Sequence, residues 1–181
     1  MNKPLRISTT SCTKDAGCVS ELDYVEQTSW VLFLKYLDDL EKDKKTAAEL
    51  TGKKYTDIIA PEFQWSVWAT PKDAADKLDH HKALIGDDLA DFVNIQLFPY
   101  RKKFKTSAEI ADTIEYKIGE IFSELKNRIQ SGYNLREVIN LIDQLRGDAA
   151  GISKLFIEFQ KFLYQENVAQ KHIEHTSHAN K

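Results

Sequence analysis

Arg101, Lys102, Lys103 and Lys105 put four cations within five residues, the densest basic run in the chain. Such a run can hold phosphate oxygens. Lys126, Arg128 and Arg136 flank Ser131-Gly132-Tyr133 and can extend the same contact. An ordinary solvated helix face competes with that reading. The remaining reactive side chains are poorly arranged. His172, His175 and His178 recur every third residue, but Thr176, Ser177 and Asn180 disfavour the helix that would present them to a metal. A solvated tail explains them better. His80 and His81 are adjacent, so on a helix they point apart. Cys12 and Cys18 have no second cysteine pair and no neighbouring histidine to complete a zinc site, and read as reduced thiols. Asp38-Asp39 and Asp87-Asp88 suit exposed helix ends better than an acid–base couple. Phe63, Trp65 and Trp68 could stack a base, but no cations alternate with them. They read as rings buried to staple a loop. No catalytic residue, cofactor contact or metal ligand is assigned.

Several chemistries are excluded by pattern. No two glycines are separated by a single residue, so no G-x-G turn cradles a cofactor. G-x-x-x-x-G-K and G-x-S-x-G are absent, as is any Pro-Pro dipeptide. The formal net charge of −3 gives no global attraction to nucleic acid or to an anionic membrane, so a DNA contact must be local. The longest unbroken apolar run, Trp30 to Leu34, is far too short to cross a bilayer. No signal region follows Met1, and the cytoplasm is the expected location.

The elements that must position these residues are helices. Seven Gly and four Pro in 181 residues favour long helices over many short strands. Leu22, Val25, Ser29, Leu32, Tyr36 and Leu40 mark one face of a first helix. Trp30, Phe33, Leu34 and Leu37 widen it into the centre of a bundle. Ser20 caps that helix, with Asp23 at the third position. It is predicted to reach about Lys44, with a short second helix from Thr46 to Leu50 ended by Gly52. Residues 53–69 break the helical pattern. Thr70 and Pro71 open a surface helix to about Leu84. Another starts at Asp87, with Leu89, Phe92, Val93 and Leu97 inward, and closes at Pro99. Thr106 to Glu109 form a capping box for a helix running from Ile110 to Ile129. Asn134 caps the next, through Leu135, Val138, Ile139, Ile142 and Leu145, which Gly147 ends. Residues 152–166 form a last amphipathic helix. The expected fold is an all-α multi-helix bundle with a short non-helical aromatic insert near 53–69. The expected organisation is a flexible polar arm over 1–19, a helical domain over 20–146, and a helix with a polar tail over 147–181.

The run Asp23-Tyr24-Val25-Glu26-Gln27-Thr28-Ser29-Trp30-Val31-Leu32-Phe33-Leu34-Lys35-Tyr36-Leu37-Asp38-Asp39-Leu40-Glu41 resembles the N-terminal helix of the modification (M, HsdM) subunit of type I restriction–modification systems. Phe63-Gln64-Trp65-Ser66-Val67-Trp68-Ala69 follows in the expected order, then Asp91-Phe92-Val93-Asn94 with Leu97-Phe98-Pro99-Tyr100. The last matching stretch is Leu125-Lys126-Asn127-Arg128-Ile129-Gln130-Ser131-Gly132-Tyr133-Asn134-Leu135-Arg136-Glu137-Val138. The resemblance covers about residues 20–146. Residues 147–181 depart from it.

In that family the helical domain precedes a Rossmann-like catalytic domain that binds S-adenosylmethionine and methylates adenine N6. The resemblance implies a non-catalytic assembly and DNA-clamping domain, inactive alone and without a cofactor of its own. S-adenosylmethionine is expected only for a full-length M subunit. The implied partners are the catalytic domain, a second M subunit, the specificity subunit and double-stranded DNA. Two other classes stay open. One is a free-standing M-like interaction protein that modulates a restriction–modification complex, with Phe156, Phe159 and Phe162 as its partner surface. The other is a small DNA-binding regulator.

Overall fold

Ser20 starts the first helix by a reciprocal cap. Its hydroxyl accepts the Asp23 N–H at 3.2 Å, and the Asp23 carboxylate accepts the Ser20 N–H at 2.9 Å. In this computed structural model, which describes residues 15–108, 110 and 113–144, the helix that follows, α1, runs unbroken over Glu21–Leu50. The predicted break between Lys44 and Thr46 is absent, since a single Thr among good helix formers does not end a helix. Gly52 does end it. Its φ of 67° is left-handed, and the N–H groups of Gly52 and Lys53 return to the carbonyls of Glu49 and Ala48.

The inward face of α1 is Trp30, Val31, Phe33, Leu34 and Leu37, none more than 6% exposed. Leu22, Val25, Leu32, Tyr36 and Leu40, the stripe read first from the spacing, are only half-buried. Two further helices complete this layer, α4 (Phe98–Ser107) and α5 (Ile114–Glu124). Trp30 meets Phe98 edge-on at 5.1 Å, Phe98 meets Phe122 edge-on at 5.2 Å, and Phe33 stacks on Phe122 at 6.2 Å. Burying each such ring contributes about 2–3 kcal/mol.

Residues 53–69 are not wholly irregular. They contain a 3₁₀ turn, Pro61–Phe63, and one helical turn, α2 (Trp65–Trp68). Carboxylates of α1 take up backbone donors that this insert leaves over. Asp38 accepts the Trp65 N–H at 2.9 Å, and Glu41 accepts those of Ile58 and Ile59. Trp65 and Trp68 are buried, and Phe63 stacks on Tyr100 at 3.9 Å. The rings staple the insert down, and none of the three presents an open stacking face.

The helix predicted from Thr70 to Leu84 does not form. Asp73 instead turns its carboxylate onto the N–H groups of Ala75 and Lys77, a local competitor to helical bonding. A single antiparallel bridge joins Lys72 to Leu78.

From Gly86 one continuous helical run passes through α3 (Gly86–Asp91), a π-helical stretch (Phe92–Leu97) and α4. Pro99 therefore does not close a helix. The Phe98 N–H bonds the Val93 carbonyl five residues back, and this wider turn makes room for the proline ring. Thr106 lies inside α4 and bonds back to the Lys103 carbonyl, so the predicted capping box is not used. Thr113 caps α5 instead, and α5 stops at Glu124, short of Ile129. The chain then runs extended to Ser131. That residue, not Asn134, caps the last helix, α6 (Gly132–Asp143).

The described residues form an all-α assembly without strands. The chain divides into two compact units, Met1–Arg146 and Gly147–Lys181. The predicted helix over 152–166, its three phenylalanines and the histidine tail lie outside the described residues, as do residues 1–14.

Candidate nucleic-acid interface

The extended segment between α5 and α6 has an unusual support. Gln27, fully buried on α1, donates from Nε2 to the Lys126 carbonyl at 3.1 Å. Its Oε1 accepts the Arg128 N–H and the Trp30 indole N–H, each at 2.9 Å. One side chain thus replaces the helical bonding that residues 126–128 would otherwise make. Asn127 holds the next step, accepting the Ile129 N–H at 3.1 Å.

Asp15 secures the far end. Its carboxylate accepts the N–H groups of Gln130 and Ser131 and the Asn134 amide, all at 3.0 Å, and also the Gly17 N–H. Burial pushes this carboxyl upward, but the four donors outweigh it and hold the pKa below the ordinary value. The close contact needs a glycine at 17, where a Cβ would fall 1.7 Å from the Arg128 carbonyl oxygen. Residues 15–18 are therefore docked, where a loose arm over the whole of 1–19 was expected. Cys18 is buried in this strap.

Held this way, the segment alternates like a strand. Lys126, Arg128 and Gln130 point to solvent, while Ile129 is 3% exposed and Asn127 half-buried. Outward side chains two residues apart lie about 6.6 Å from each other. Arg128 also pairs with Asp23, whose pKa is lowered chiefly by the Ser20 hydrogen bonds. Asn127 donates to Asn94 at 3.1 Å, which sets the row beside the π-helical stretch, about two helical turns before Lys102. Lys102 and Lys103 are exposed on α4 and Lys105 is partly so. Asp87, Asp88 and Asp91 are exposed on α3.

Two of the seven expected phosphate contacts are internal. Arg101 is 1% exposed, between the Tyr100 and Phe104 rings, with Nη2 donating to the Phe63 carbonyl at 3.3 Å. Burial lowers its pKa to about 10, so it stays cationic, with Glu41 and Asp38 of α1 among the charges that support it. Arg136 is buried too. It donates to the carbonyls of Ala69 and Leu84 and so ties both feet of the 70–84 loop to α6. Neither is available to a phosphate. The reasons differ: the Arg136 guanidinium gathers carbonyls that the loop leaves unpaired, whereas Arg101 is enclosed by aromatic rings and meets one carbonyl.

Asp143 is a third anchor that sequence reasoning missed. It accepts the Trp65 indole N–H at 2.9 Å, the Thr70 hydroxyl at 3.1 Å and Lys72 Nζ at 3.1 Å. Burial pushes its pKa up, and these three donors bring it below the ordinary value. No sequence signal pairs Asp143 with residues more than seventy positions away.

His80 and His81 are exposed on the 70–84 loop. Among the described residues no three of His, Cys, Asp and Glu are grouped to hold a metal, and no helix is long and apolar enough to cross a membrane. A shallow, open groove between α1 and α5 is lined by apolar residues including Leu37, Ile58 and Ile118, with Glu41, Lys44 and Tyr55 beside them.

The family model for the HsdM N-terminal domain matches residues 13–142. The EcoEI type I restriction enzyme methylase subunit of Escherichia coli is 30% identical over 132 residues, which are 73% of this chain and 24% of that protein. The chain thus spans about a quarter of the length of that curated relative. The crystal structure of a modification subunit assigned to a type I restriction enzyme of Vibrio vulnificus YJ016 superposes with a TM-score of 0.69 at 26% identity, over 87% of this chain and 33% of that one. A chain from a structure concerned with complex assembly and conformational transition of the type I R-M system superposes with a TM-score of 0.58 at 28% identity, over 84% and 28%. With the match spanning α1 through nearly all of α6, the chain belongs to the HsdM N-terminal domain family of type I restriction–modification methylase subunits.

Proposed function

We propose that this chain is a non-catalytic assembly and DNA-clamping domain of a type I adenine-N6 DNA methyltransferase subunit. The observation that carries the reading is the Lys126–Gln130 row. Gln27 and Asp15 hold its backbone rigid, and its outward side chains carry charge and hydrogen-bonding capacity. Such a row positions a duplex through its phosphates and reads no bases. Lys102, Lys103 and Lys105 extend it along α4. The α1–α4–α5 core supplies rigidity rather than chemistry. Binding of S-adenosylmethionine and transfer of the methyl group fall to the catalytic remainder of the subunit, and choice of the DNA site to the specificity subunit. A second copy of the methylase subunit is the remaining partner, and the complex works in the cytoplasm.

The test is a modification complex containing this domain with Lys102→Ser, Lys103→Ser and Lys126→Ser combined. The log–log salt slope of DNA binding should fall in magnitude by about 2–3, near 0.9 per lost contact. Preference for the recognised site over other sequences should persist. An unchanged slope would remove the DNA-clamping part of the reading.

A further inference from the structure

We propose that the exposed face of the helical run from Gly86 to Ser107 docks a second copy of this chain, antiparallel, about a two-fold axis at Ile95. Such docking rests on the second-subunit reading above and gives it a surface. It also sets the second copy against DNA at two lysines.

The π-helical stretch builds this face. Exposed residues recur at 87, 91, 95 and 99, every fourth position. On a regular α-helix that spacing drifts around the axis by about 40° per step. Over Phe92–Leu97 the bonds span five residues rather than four, and the wider turn takes up the drift. Asp87, Asp91, Ile95 and Pro99 therefore share one row, while Val93, Leu97 and Phe98 are buried behind it. Ile95, at the centre, is 67% exposed.

Charge along the row is symmetric about Ile95 with its sign reversed. Asp87 and Asp88 precede Ile95 by eight and seven positions, and Lys102 and Lys103 follow it by seven and eight. All four are exposed, and among the described residues none of them joins an ion pair or a side-chain hydrogen bond. A copy turned end for end presents its lysines to the carboxylates of the first and its carboxylates to the lysines. A parallel copy would set like charge against like. The two-fold contact is closed, so both ends are matched and Ile95 meets its own counterpart at the axis.

Size makes this a displaceable contact. The row is about 24 Å long and about 10 Å wide, roughly 500 Å² over both copies, against the about 1,200 Å² of a stable complex. Exposed ion pairs add little each and weaken with salt. The free chain therefore associates weakly, and docking becomes effective where two methylase subunits share one complex. Lys102 and Lys103 cannot serve phosphates and a second copy's carboxylates at once, so duplex DNA competes with docking.

The experiment is sedimentation equilibrium of the full chain, up to about 1 mM protein at roughly 50 mM salt. The native chain should self-associate. Asp87→Lys with Asp88→Lys, and separately Lys102→Asp with Lys103→Asp, should each weaken association by about ten-fold or more, because like charges then face each other. Mixed in equal amounts, the two variants should form a heterodimer at least as tight as the native pair, which also shows that both are folded. Variants that self-associate as the native chain does, or a mixture that stays monomeric, overturn the docking face. In a Cys12→Ser background, Ile95→Cys should crosslink to its own copy under oxidised glutathione far faster than the off-axis Ser107→Cys. A duplex of about 20 base pairs should slow that crosslink. Equal rates at the two positions overturn the axis, and a rate unmoved by saturating duplex overturns the competition. Should the mixture stay monomeric while the native chain still co-elutes with methylase and specificity subunits, the docking face alone is wrong and the assembly role stands.

Discussion

Gln27→Met is the perturbation that most directly tests how the 125–131 segment is held. Methionine conserves length and burial but makes no hydrogen bond. Three groups lose a partner: the Lys126 carbonyl, the Arg128 N–H and the Trp30 indole N–H. The indole is buried, while the two backbone groups are partly so and can recover some bonding from water. At about 1–3 kcal/mol for each unsatisfied buried group, the loss should total about 3–5 kcal/mol. That is a large share of the ~5–15 kcal/mol typical of a domain. Urea unfolding followed by tryptophan fluorescence and circular dichroism reads it directly. Hydrogen exchange gives the local signature, with the Arg128 amide accelerated far more than amides in the middle of α1. Gln27→Glu is the companion. It keeps both acceptor roles but loses the donor to the Lys126 carbonyl and buries a charge, so it should be destabilised at neutral pH. Protonation restores the donor, so this variant should gain on the native chain as pH falls. If Gln27→Met lies within about 0.5 kcal/mol of the native protein, the segment is held by something else and the reasoning fails.

Other outcomes follow from the same contacts. Arg101→Met should change stability by no more than about 1.5 kcal/mol, because a buried cation with few acceptors gains little over an apolar side chain, and it should leave the salt slope of DNA binding unchanged. Arg136→Met should cost about 2–4 kcal/mol and expose Lys77 and Lys82 to trypsin, since Ala69 and Leu84 lose the group that gathers their carbonyls. For acid, the folded-state pKa values of Asp15 and Asp143 are depressed, so the unfolded chain binds more protons. Their stabilisation is fully present above the unfolded carboxylate pKa, near 4, and is lost as pH falls through the folded values. Equilibrium unfolding from pH 7 downward should therefore weaken below about pH 5, and Asp143→Asn should flatten part of that dependence.

The helices with strong periodic signals were legible in the sequence. Ser20 and Asp23 announced the start of α1, while Gly52 ends not the separate short helix its position suggested but the last part of α1. The inward set on α6 followed its spacing, since Leu135, Val138, Ile139 and Ile142 are all buried; on α5 only Ile118 and Phe122 are, while Ile114 and Ile121 are half-buried and Ile110, before the helix, is exposed. What misled were local signals overruled by distant partners. Thr70-Pro71 looks like a helix start, but Arg136 and Asp143 hold residues 69–84 as a loop. Pro99 looks like a stop, but the π-helical stretch before it carries the helix through. The periodicity of residues 110–129 continues past Glu124 because Ile129 is buried from an extended segment. Charge was the least legible feature. Arg101 and Lys102 are neighbours in one basic run, yet one is a buried strut and the other exposed. Only the packing of Phe63, Tyr100 and Phe104 separates them.

The central claim, a non-catalytic assembly domain, is tested most directly by complementation. The chain is added to a type I methylase subunit stripped of its own N-terminal domain, together with its specificity subunit and DNA. Transfer of labelled methyl groups from S-adenosylmethionine to adenine is then measured. The account predicts no transfer by the chain alone, co-elution of the chain with the other subunits, and transfer that rises only when the chain is present. Methyl transfer by the isolated chain, or a chain that elutes apart and changes nothing, would contradict it.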